Sequence, residues 1–376
     1  MSGQLSNRER LYYSRQMIMP GWDEETQVQL KESKVLVIGA GGLSCPMLQN
    51  LVRAGVGHIG IVDGDSIQYS NLHRQSLFEV DDVGRSKAMV AAEKLKSINP
   101  HVTIEVHHHY LTQRNAEELF TRFDIVADGT DNFPTRYLVN DYAVKFNLIN
   151  VFAAINGFEG QLAVFNYPLG EHQRSGHYRD IFPLPPPSDE VPNCAEHGVL
   201  GTTTSTMGSL QAAEIIKVIL RSENVFYNKL VHIDLQSLEQ RQIQYIPGGE
   251  PDWNSISATE YDHKLCVPAK EEISMLEKYY EELLQLYREV DSLQWVDVRS
   301  KKEHLIDPFS GRNIPWNTKQ NVSQYKTDRP VVFYCQTGKR SAEVLQLFLK
   351  QYPKAEAYSL KGGVEKWLYD SQKSSQ

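Results

Sequence analysis

The sequence predicts a doubly wound, mostly parallel α/β sheet followed by a second, smaller α/β domain. Short apolar runs alternate with helical stretches from Lys34 onward, and a glycine turn joins the first run to the first helix. Past a proline- and glycine-containing passage at residues 246–264 the pattern starts again. These features divide the chain into residues 1–247, a linker at 248–268 and a second domain at 269–376.

The elements follow in order. "KVLVIG" from Lys34 is a short apolar strand, the glycine turn after it opens an amphipathic helix to about Ala54, and "HIGIVD" is a second strand, which completes a βαβ unit. "VTIEVH" (102–107), "DIVADG" (124–129) and "LINVFAA" (148–154) read as further strands, separated by helices over 87–97 and 135–146. "GQLAVFNY" extends the sheet. Residues 170–193, ending in "FPLPPPSDEVPN", exclude regular helix and central strand, because proline lacks a donor and fixes φ. That passage reads as a long surface crossover. The helix after it, "TTTSTMGSLQAAEIIKVILR", begins with small residues that permit close packing. A charged helix is expected over 270–290.

Composition narrows the function classes. Lys plus Arg number 39 against 47 Asp plus Glu, a formal net charge of -8, which argues against stable nucleic-acid binding. No apolar run reaches the roughly 18 residues of a membrane span, and the polar start lacks a secretory hydrophobic region, so a cytoplasmic setting is expected. Cys45, Cys194, Cys266 and Cys335 are scattered without a CxxC pair, unlike a disulfide framework.

"GAGGLS" (39–44) joins strand to helix, so backbone amides at the helix start can meet phosphate oxygens, with Gly39, Gly41 and Gly42 leaving the approach clear. Asp63 ends the next strand, where an acid meets a ribose hydroxyl. To this point NAD serves as well as ATP, and a purely structural turn remains open. "DGDSIQYSNLHRQ" then adds Asp65, Ser70, Asn71, Arg74 and Gln75, and Lys87 opens the following helix. That density of polar and cationic groups suits phosphoryl or nucleotidyl transfer, where charge grows on phosphorus. "DGTDNFPTR" places Asp128, Asp131 and Asn132 past a strand's carboxyl end, the edge where open α/β sheets bind ligands, with Asp131 a candidate Mg²⁺ ligand.

"YSRQ", "GAGGLS", "VDGDSI", "SNLHRQ", "GRSKA", "DGTDN" and "CAEHGVLG" occur in an order and at spacings that resemble the E1-like adenylyltransferases activating sulfur carriers of the molybdopterin-synthase and thiamine type, over about residues 5–245. The resemblance implies a Rossmann-like, E1-type domain in which Gly42, Asp63, Asn71, Arg74, Lys87 and Asp131 contact ATP and Mg²⁺. It also implies a homodimer, with Arg15 reaching the partner's site. The reaction it implies is adenylation of the C-terminal glycine of a ubiquitin-like sulfur-carrier protein. Ser44 departs from the third glycine of many relatives, yet serine is small enough for helix packing.

"FYCQTGKRSAE" (333–343) sets a thiol at the end of an apolar strand, before a glycine and two cations, a setting that suits a thiolate. "CQTGKRS" resembles the active-site loop of rhodanese domains, supported by "WVDVRS" and "YSLKGGVEKW", while "FSGRNIPWN" departs from the usual approach to that loop. Cys335 is thus expected to carry a persulfide, with Lys339 and Arg340 adding positive potential and a cysteine desulfurase as one donor. Cys194, after the crossover and near a helix start, is the expected acyl-accepting or resolving thiol by the same family resemblance. Cys45 reads as core. Relatives often bind structural zinc through two CxxC pairs. Here those places hold His177, Asp180, His263 and Cys266, so a degenerate site or loss of the metal are both open. The run His107 to His109 reads as surface histidines, since alternate side chains diverge. Two rival readings are an NAD-dependent oxidoreductase and a scaffold whose second domain only docks a partner.

Overall fold

In the computed structural model, residues 4–171, 173–186, 198–249, 251, 253, 261, 277–286, 292–316, 322–325 and 329–373 are described. Cys194, His263 and Cys266 lie outside them. The chain divides into two compact units, the described residues up to Tyr261 in the first and those from Glu277 in the second.

The first unit opens with α1 (Asn7–Met17) and α2 (Glu24–Glu32). Then come β1 (Lys34–Ile38), α3 (Ser44–Ala54), β2 (His58–Val62), α4 (Lys87–Ile98), β3 (Thr103–His107), α5 (Gln113–Phe120), β4 (Ile125–Asp128), α6 (Phe133–Lys145) and β5 (Ile149–Asn156). The unit continues with β6 (Glu159–Phe165), α7 (Tyr178–Ile181), α8 (Gly201–Ile219), β7 (Lys229–Asp234) and β8 (Glu239–Gln244). Its sheet runs β3-β2-β1-β4-β5-β6-β7-β8, parallel from β3 to β5 and antiparallel from there on.

Strand β1 is apolar after Lys34 because it is covered on both sides. Val35 and Val37 pack with residues of α3, α4 and α8, whereas Leu36 and Ile38 join those of α5 and α6. This two-faced core is the doubly wound arrangement, and it leaves the strands' carboxyl ends open for a site. Helix α6 begins two residues earlier than its periodicity suggested. Asn132 caps it and Pro134 is tolerated in the first turn.

The second unit consists of β9 (Glu277–Lys278), α9 (Tyr280–Leu286), β10 (Gln294–Asp297), α10 (Lys301–Ile306), β11 (Arg312–Asn313), β12 (Val331–Tyr334), α11 (Lys339–Gln351), β13 (Ala357–Leu360) and α12 (Gly363–Lys373). Its five strands run β11-β10-β12-β13-β9, all parallel. Strand β12 alternates faces: Phe333 and Cys335 enter one cluster, Val332 and Tyr334 the other. The charged helix expected over 270–290 is corrected in part. Glu277 and Lys278 form an edge strand on β13, and the helix starts at Tyr280. Two residues of ladder leave no periodic signal in sequence.

Candidate functional site

The glycine turn between β1 and α3 is held by close backbone packing. A Cβ on Gly42 would lie 2.8 Å from Thr204 Cγ2, and one on Gly201 would lie 2.4 Å from the His73 carbonyl oxygen. Farther along α8, a Cβ on Gly208 would meet the Leu43 carbonyl at 2.2 Å. The small residues at the start of α8 therefore let it press against the loop, as their pattern suggested. Thr204 Oγ1 donates to the Gly201 carbonyl (2.7 Å) and lies 3.3 Å from the Arg74 carbonyl, tying the Asn71–Arg74 segment to the same corner.

Asp63, at the end of β2, accepts from the Ala40 amide inside the loop (2.7 Å) and from the Asp65 amide (2.7 Å). Burial raises its carboxyl pKa, opposed chiefly by the Lys87 charge. Lys87, at the first turn of α4 and only 7 % exposed, directs its ammonium onto Asp65 Oδ2 at 3.0 Å. Its backbone amide also donates to the Asp65 carbonyl at 3.0 Å. Asn71 is buried and fixes its own turn by accepting from the Gln68 amide (3.2 Å). Arg74 curls back, donating to the Ser70 carbonyl at 2.8 Å. Gly39, Gly41, Gly42, Asp63, Asp65, Ser70, Asn71, Arg74 and Lys87 thus lie on segments linked into one corner of the sheet.

The loop after β4 contributes differently. Asp128 is buried, and its Oδ1 accepts from the Thr130 amide (3.0 Å) and hydroxyl (2.6 Å). Burial lifts its pKa against the pull of Arg136. Asp131 is the exposed carboxylate of that loop. Asn132 is the α6 N-cap, with Oδ1 accepting from the Thr135 amide (3.0 Å) and hydroxyl (2.7 Å), so a structural role accounts for it.

Arg15 sits elsewhere. It is exposed in the last turn of α1, a helix anchored at the far end of α3 and α4. Gln16 donates to the Ala54 carbonyl (2.8 Å), and the Asn99 amide donates to Tyr13 Oη (2.8 Å). Helix α3 alone spans about 16 Å, so the glycine turn lies roughly that far from Arg15's surroundings.

In the second unit, Cys335 follows β12 and is fully buried. Its Sγ lies 3.7 Å from Ser341 Oγ, which donates to the Gly338 carbonyl (3.0 Å) and accepts from Ser359 Oγ (2.8 Å). The Val364 and Glu365 amides donate to the carbonyls of Cys335 and Gln336 at 3.0 and 3.1 Å. Gly363, at φ +65°, makes this closure possible, since a Cβ there would lie 2.4 Å from both carbonyl oxygens. Beneath the loop, fully buried Arg299 chelates fully buried Asp297 and donates to Gln336 Oε1 at 3.0 Å. The positive potential assigned to Arg340 needs correction. Its guanidinium is paired with Glu303, one bond at 3.0 Å, so at rest that charge is balanced. Lys339 is exposed.

Cys45 is core as expected. It is fully buried, and burial pushes its thiol up to about 12. Of the histidine run, His108 and His109 are exposed as expected, and His107 is the exception. It is partly buried and lies 2.9 Å from Glu105 Oε1. In the described half of the degenerate zinc site, His177 Nε2 lies 2.8 Å from the Gly249 carbonyl, and Asp180 accepts from the His177 and Gly248 amides at 2.8 and 2.9 Å. His263 and Cys266 lie outside the described residues. Among those described, no group of three or more His, Cys, Asp or Glu is placed to hold a metal, and no helix is long and apolar enough to cross a membrane.

A family model described as the ThiF family matches residues 13–252, and one described as a rhodanese-like domain matches residues 280–370. The chain belongs to the ThiF family. This ThiF-family chain is 38% identical over 378 residues to the "Probable adenylyltransferase/sulfurtransferase MoeZ" of Mycobacterium tuberculosis, covering 98% of this chain and 95% of that one. It is 50% identical over 208 residues to the "Sulfur carrier protein adenylyltransferase" of Thermus thermophilus, covering 55% and 77%. It is 34% identical over 390 residues to the "Adenylyltransferase and sulfurtransferase MOCS3" of Drosophila sechellia, covering 96% and 84%. A crystal structure of E. coli MccB with ATP shares the fold at TM-score 0.54 and 24% identity, covering 63% of this chain and 72% of that one.

Two residues in or beside the site escaped sequence reasoning. Arg136, inside the quoted "DGTDNFPTR", lies 3.3 Å from the Thr130 carbonyl. Tyr110, past β3, carried no motif at all.

Proposed function

We propose that this chain uses ATP to adenylate the C-terminal glycine of a ubiquitin-like sulfur-carrier protein, and then transfers sulfur from a Cys335 persulfide to form a thiocarboxylate. The observation that carries the proposal is a nearly buried lysine ammonium paired with Asp65, which is joined through Asp63 to the glycine turn. Dinucleotide binding has no need of such a group.

In the first step a carrier carboxylate oxygen attacks the α-phosphorus, and pyrophosphate leaves with the bond's electron pair. Nucleophile and triphosphate are both anionic, so Lys87 and Arg74 offset their repulsion and stabilise charge spreading to the leaving group. Amides of the Gly39–Ser44 turn take phosphate oxygens, and Asp63 braces that turn through the Ala40 amide. Asp131, an exposed hard oxygen donor, is the residue suited to Mg²⁺, which when bound offsets triphosphate charge. Arg15, distant from its own glycine turn, serves the partner's site in a homodimer.

In the second step the terminal sulfur of the Cys335 persulfide attacks the acyl carbon, and AMP leaves. A second thiol then attacks Cys335 Sγ and releases the thiocarboxylate, leaving a disulfide for later reduction. Cys194 takes that resolving role. A cysteine desulfurase is a suitable donor, and the cytoplasm a suitable compartment.

The test is exchange of labelled pyrophosphate into ATP, dependent on carrier, followed by mass spectrometry for replacement of a terminal carrier oxygen by sulfur. Lys87→Ala is expected to remove exchange, and Cys335→Ala to remove the sulfur product. A wild-type protein that performs neither, or a Cys335→Ala variant that still makes thiocarboxylate, overturns the proposal.

A further inference from the structure

Asp65 is held from several directions. Asp63 Oδ1 accepts its amide (2.7 Å), and its own carbonyl accepts the Lys87 amide (3.0 Å). Its side chain also has both oxygens engaged. Oδ2 takes the Lys87 ammonium at 3.0 Å, and Oδ1 takes the phenol of Tyr110 at 2.6 Å. The carboxylate is fixed in position and in rotation.

Tyr110 is an odd residue to find there. Half of its surface is exposed, so it is no part of the core. A tyrosine so placed can turn its hydroxyl to water without loss, yet this one turns inward onto a carboxylate that already has a cation. Its backbone is anchored as well: the Asn115 side-chain amide of α5 donates to the Tyr110 carbonyl at 2.9 Å. Its ring packs on Gly64, where a Cβ would come within 3.0 Å of Cδ2 and Cε2. A phenol is already protonated at neutral pH, and burial and the neighbouring Asp65 charge raise its pKa further, so Tyr110 is the donor of the pair.

Lysine needs such a device more than arginine does. Its ammonium rides on a flexible four-carbon stem with freely rotating donors, so a fixed location must come from a fixed acceptor. Lys87 has no other carboxylate within ion-pair distance among the described residues. We infer that Tyr110 is a positioning residue which, by clamping Asp65, sets the location of the Lys87 ammonium at the mouth of the glycine turn. The inference rests on the proposed adenylation only for its catalytic consequence. The geometric claim stands apart from it.

The experiment uses the full-length chain with Tyr110→Phe, which keeps the ring on Gly64 and removes only the hydroxyl, and with Asp65→Asn. Competitive acetylation with acetic anhydride, read at Lys87 by mass spectrometry against the exposed lysines of the same chain, reports how firmly the ammonium is held. Lys87 labelling is expected to rise at least threefold in Tyr110→Phe and further in Asp65→Asn, with the double variant no higher than Asp65→Asn alone. In carrier-dependent pyrophosphate exchange, Tyr110→Phe is expected to lower kcat about tenfold while the KM for ATP stays within a factor of two, the mark of a group misplaced in the transition state. Unchanged Lys87 labelling in Tyr110→Phe overturns the inference, as does a KM effect without a kcat effect. Absence of exchange in the wild type counts against the adenylation reading alone, and the labelling result then decides the positioning role.

Discussion

Replacing Asp297 by Asn tests the internal logic of the second unit. Arg299 and Asp297 are both fully buried, and the guanidinium spends Nε on both carboxylate oxygens (3.0 and 3.1 Å) and Nη2 on Oδ2 (2.8 Å). Without the carboxylate charge, the guanidinium keeps hydrogen bonds to the neutral Gln336 side chain (3.0 Å) and the Asp307 carbonyl (2.7 Å), and its remaining carboxylate is the more exposed Asp307, 3.8 Å away. Breaking a buried pair costs about 3–5 kcal/mol, because one charge stays in low dielectric without its close partner, and Asp307 at 3.8 Å puts this case at the lower end. For a unit of roughly 100 residues, 3 kcal/mol corresponds to about 12–24 °C in Tm. Hydrogen exchange in the intact chain reads this locally. The Val331–Tyr334 amides are expected to lose about a hundredfold in protection while β1 and β4 amides keep theirs. The Asp297→Asn, Arg299→Met double variant is expected to recover part of the loss, since the stranded charge is then gone. Protection of Val331–Tyr334 within threefold of wild type, or a double variant worse than the single, would refute the reasoning.

Three further outcomes follow from distances in the molecule. Gly42→Ala brings a Cβ to 2.8 Å from Thr204 Cγ2 and is expected to weaken ATP binding at least tenfold by calorimetry, with Thr204→Ser restoring it, because serine drops the methyl and keeps the hydroxyl. Burial alone would raise the Glu303 carboxyl, but the bonds from Arg340 bring it below its ordinary value. Its contribution to stability is therefore complete above the unfolded pKa of about 4.3 and lost as pH falls through the lower folded value, so urea titrations of wild type and Glu303→Gln should converge at low pH. Prolonged chelation is expected to leave the Tm of the first unit unchanged, because His177 and Asp180 are engaged with residues 248–249, while His177→Ala speeds proteolytic cutting just after β8.

Legibility in the sequence followed how local each cause is. Strand β1 and its glycine turn announce themselves, since an apolar run covered on both sides has no other pattern and a helix N-terminus facing phosphate needs small residues. Strand β9 does not, because two residues paired to β13 owe their conformation to a neighbour some 80 residues away. Residues were identified more easily than their partners. Lys87 and Arg340 were readable as cations, but the carboxylates that neutralise them at rest were not assigned. Asp65 is 22 positions from Lys87 and Glu303 is 37 from Arg340. Tyr110 was invisible for the same reason: no motif precedes it, and its hydroxyl matters only because β3 lies beside β2.

Both units solve one electrostatic problem in the same way. Each places a cation at the start of a helix that follows the sheet's carboxyl edge, and each pairs it in the resting state with a carboxylate from another segment, Lys87 with Asp65 and Arg340 with Glu303. An incoming anion must compete with that carboxylate, so a weakly charged ligand gains little. A triphosphate, or a sulfur anion delivered into a closed loop, gains more because several donors meet it at once. Reversing either pair by removing the carboxylate should therefore raise affinity for simple anions such as sulfate while lowering discrimination in favour of the reactive ones. A selectivity ratio, measured for Asp65→Asn with ATP against inorganic sulfate, exposes that exchange directly: the ratio falls if the resting pair filters ligands, and holds if Asp65 is only a structural tether.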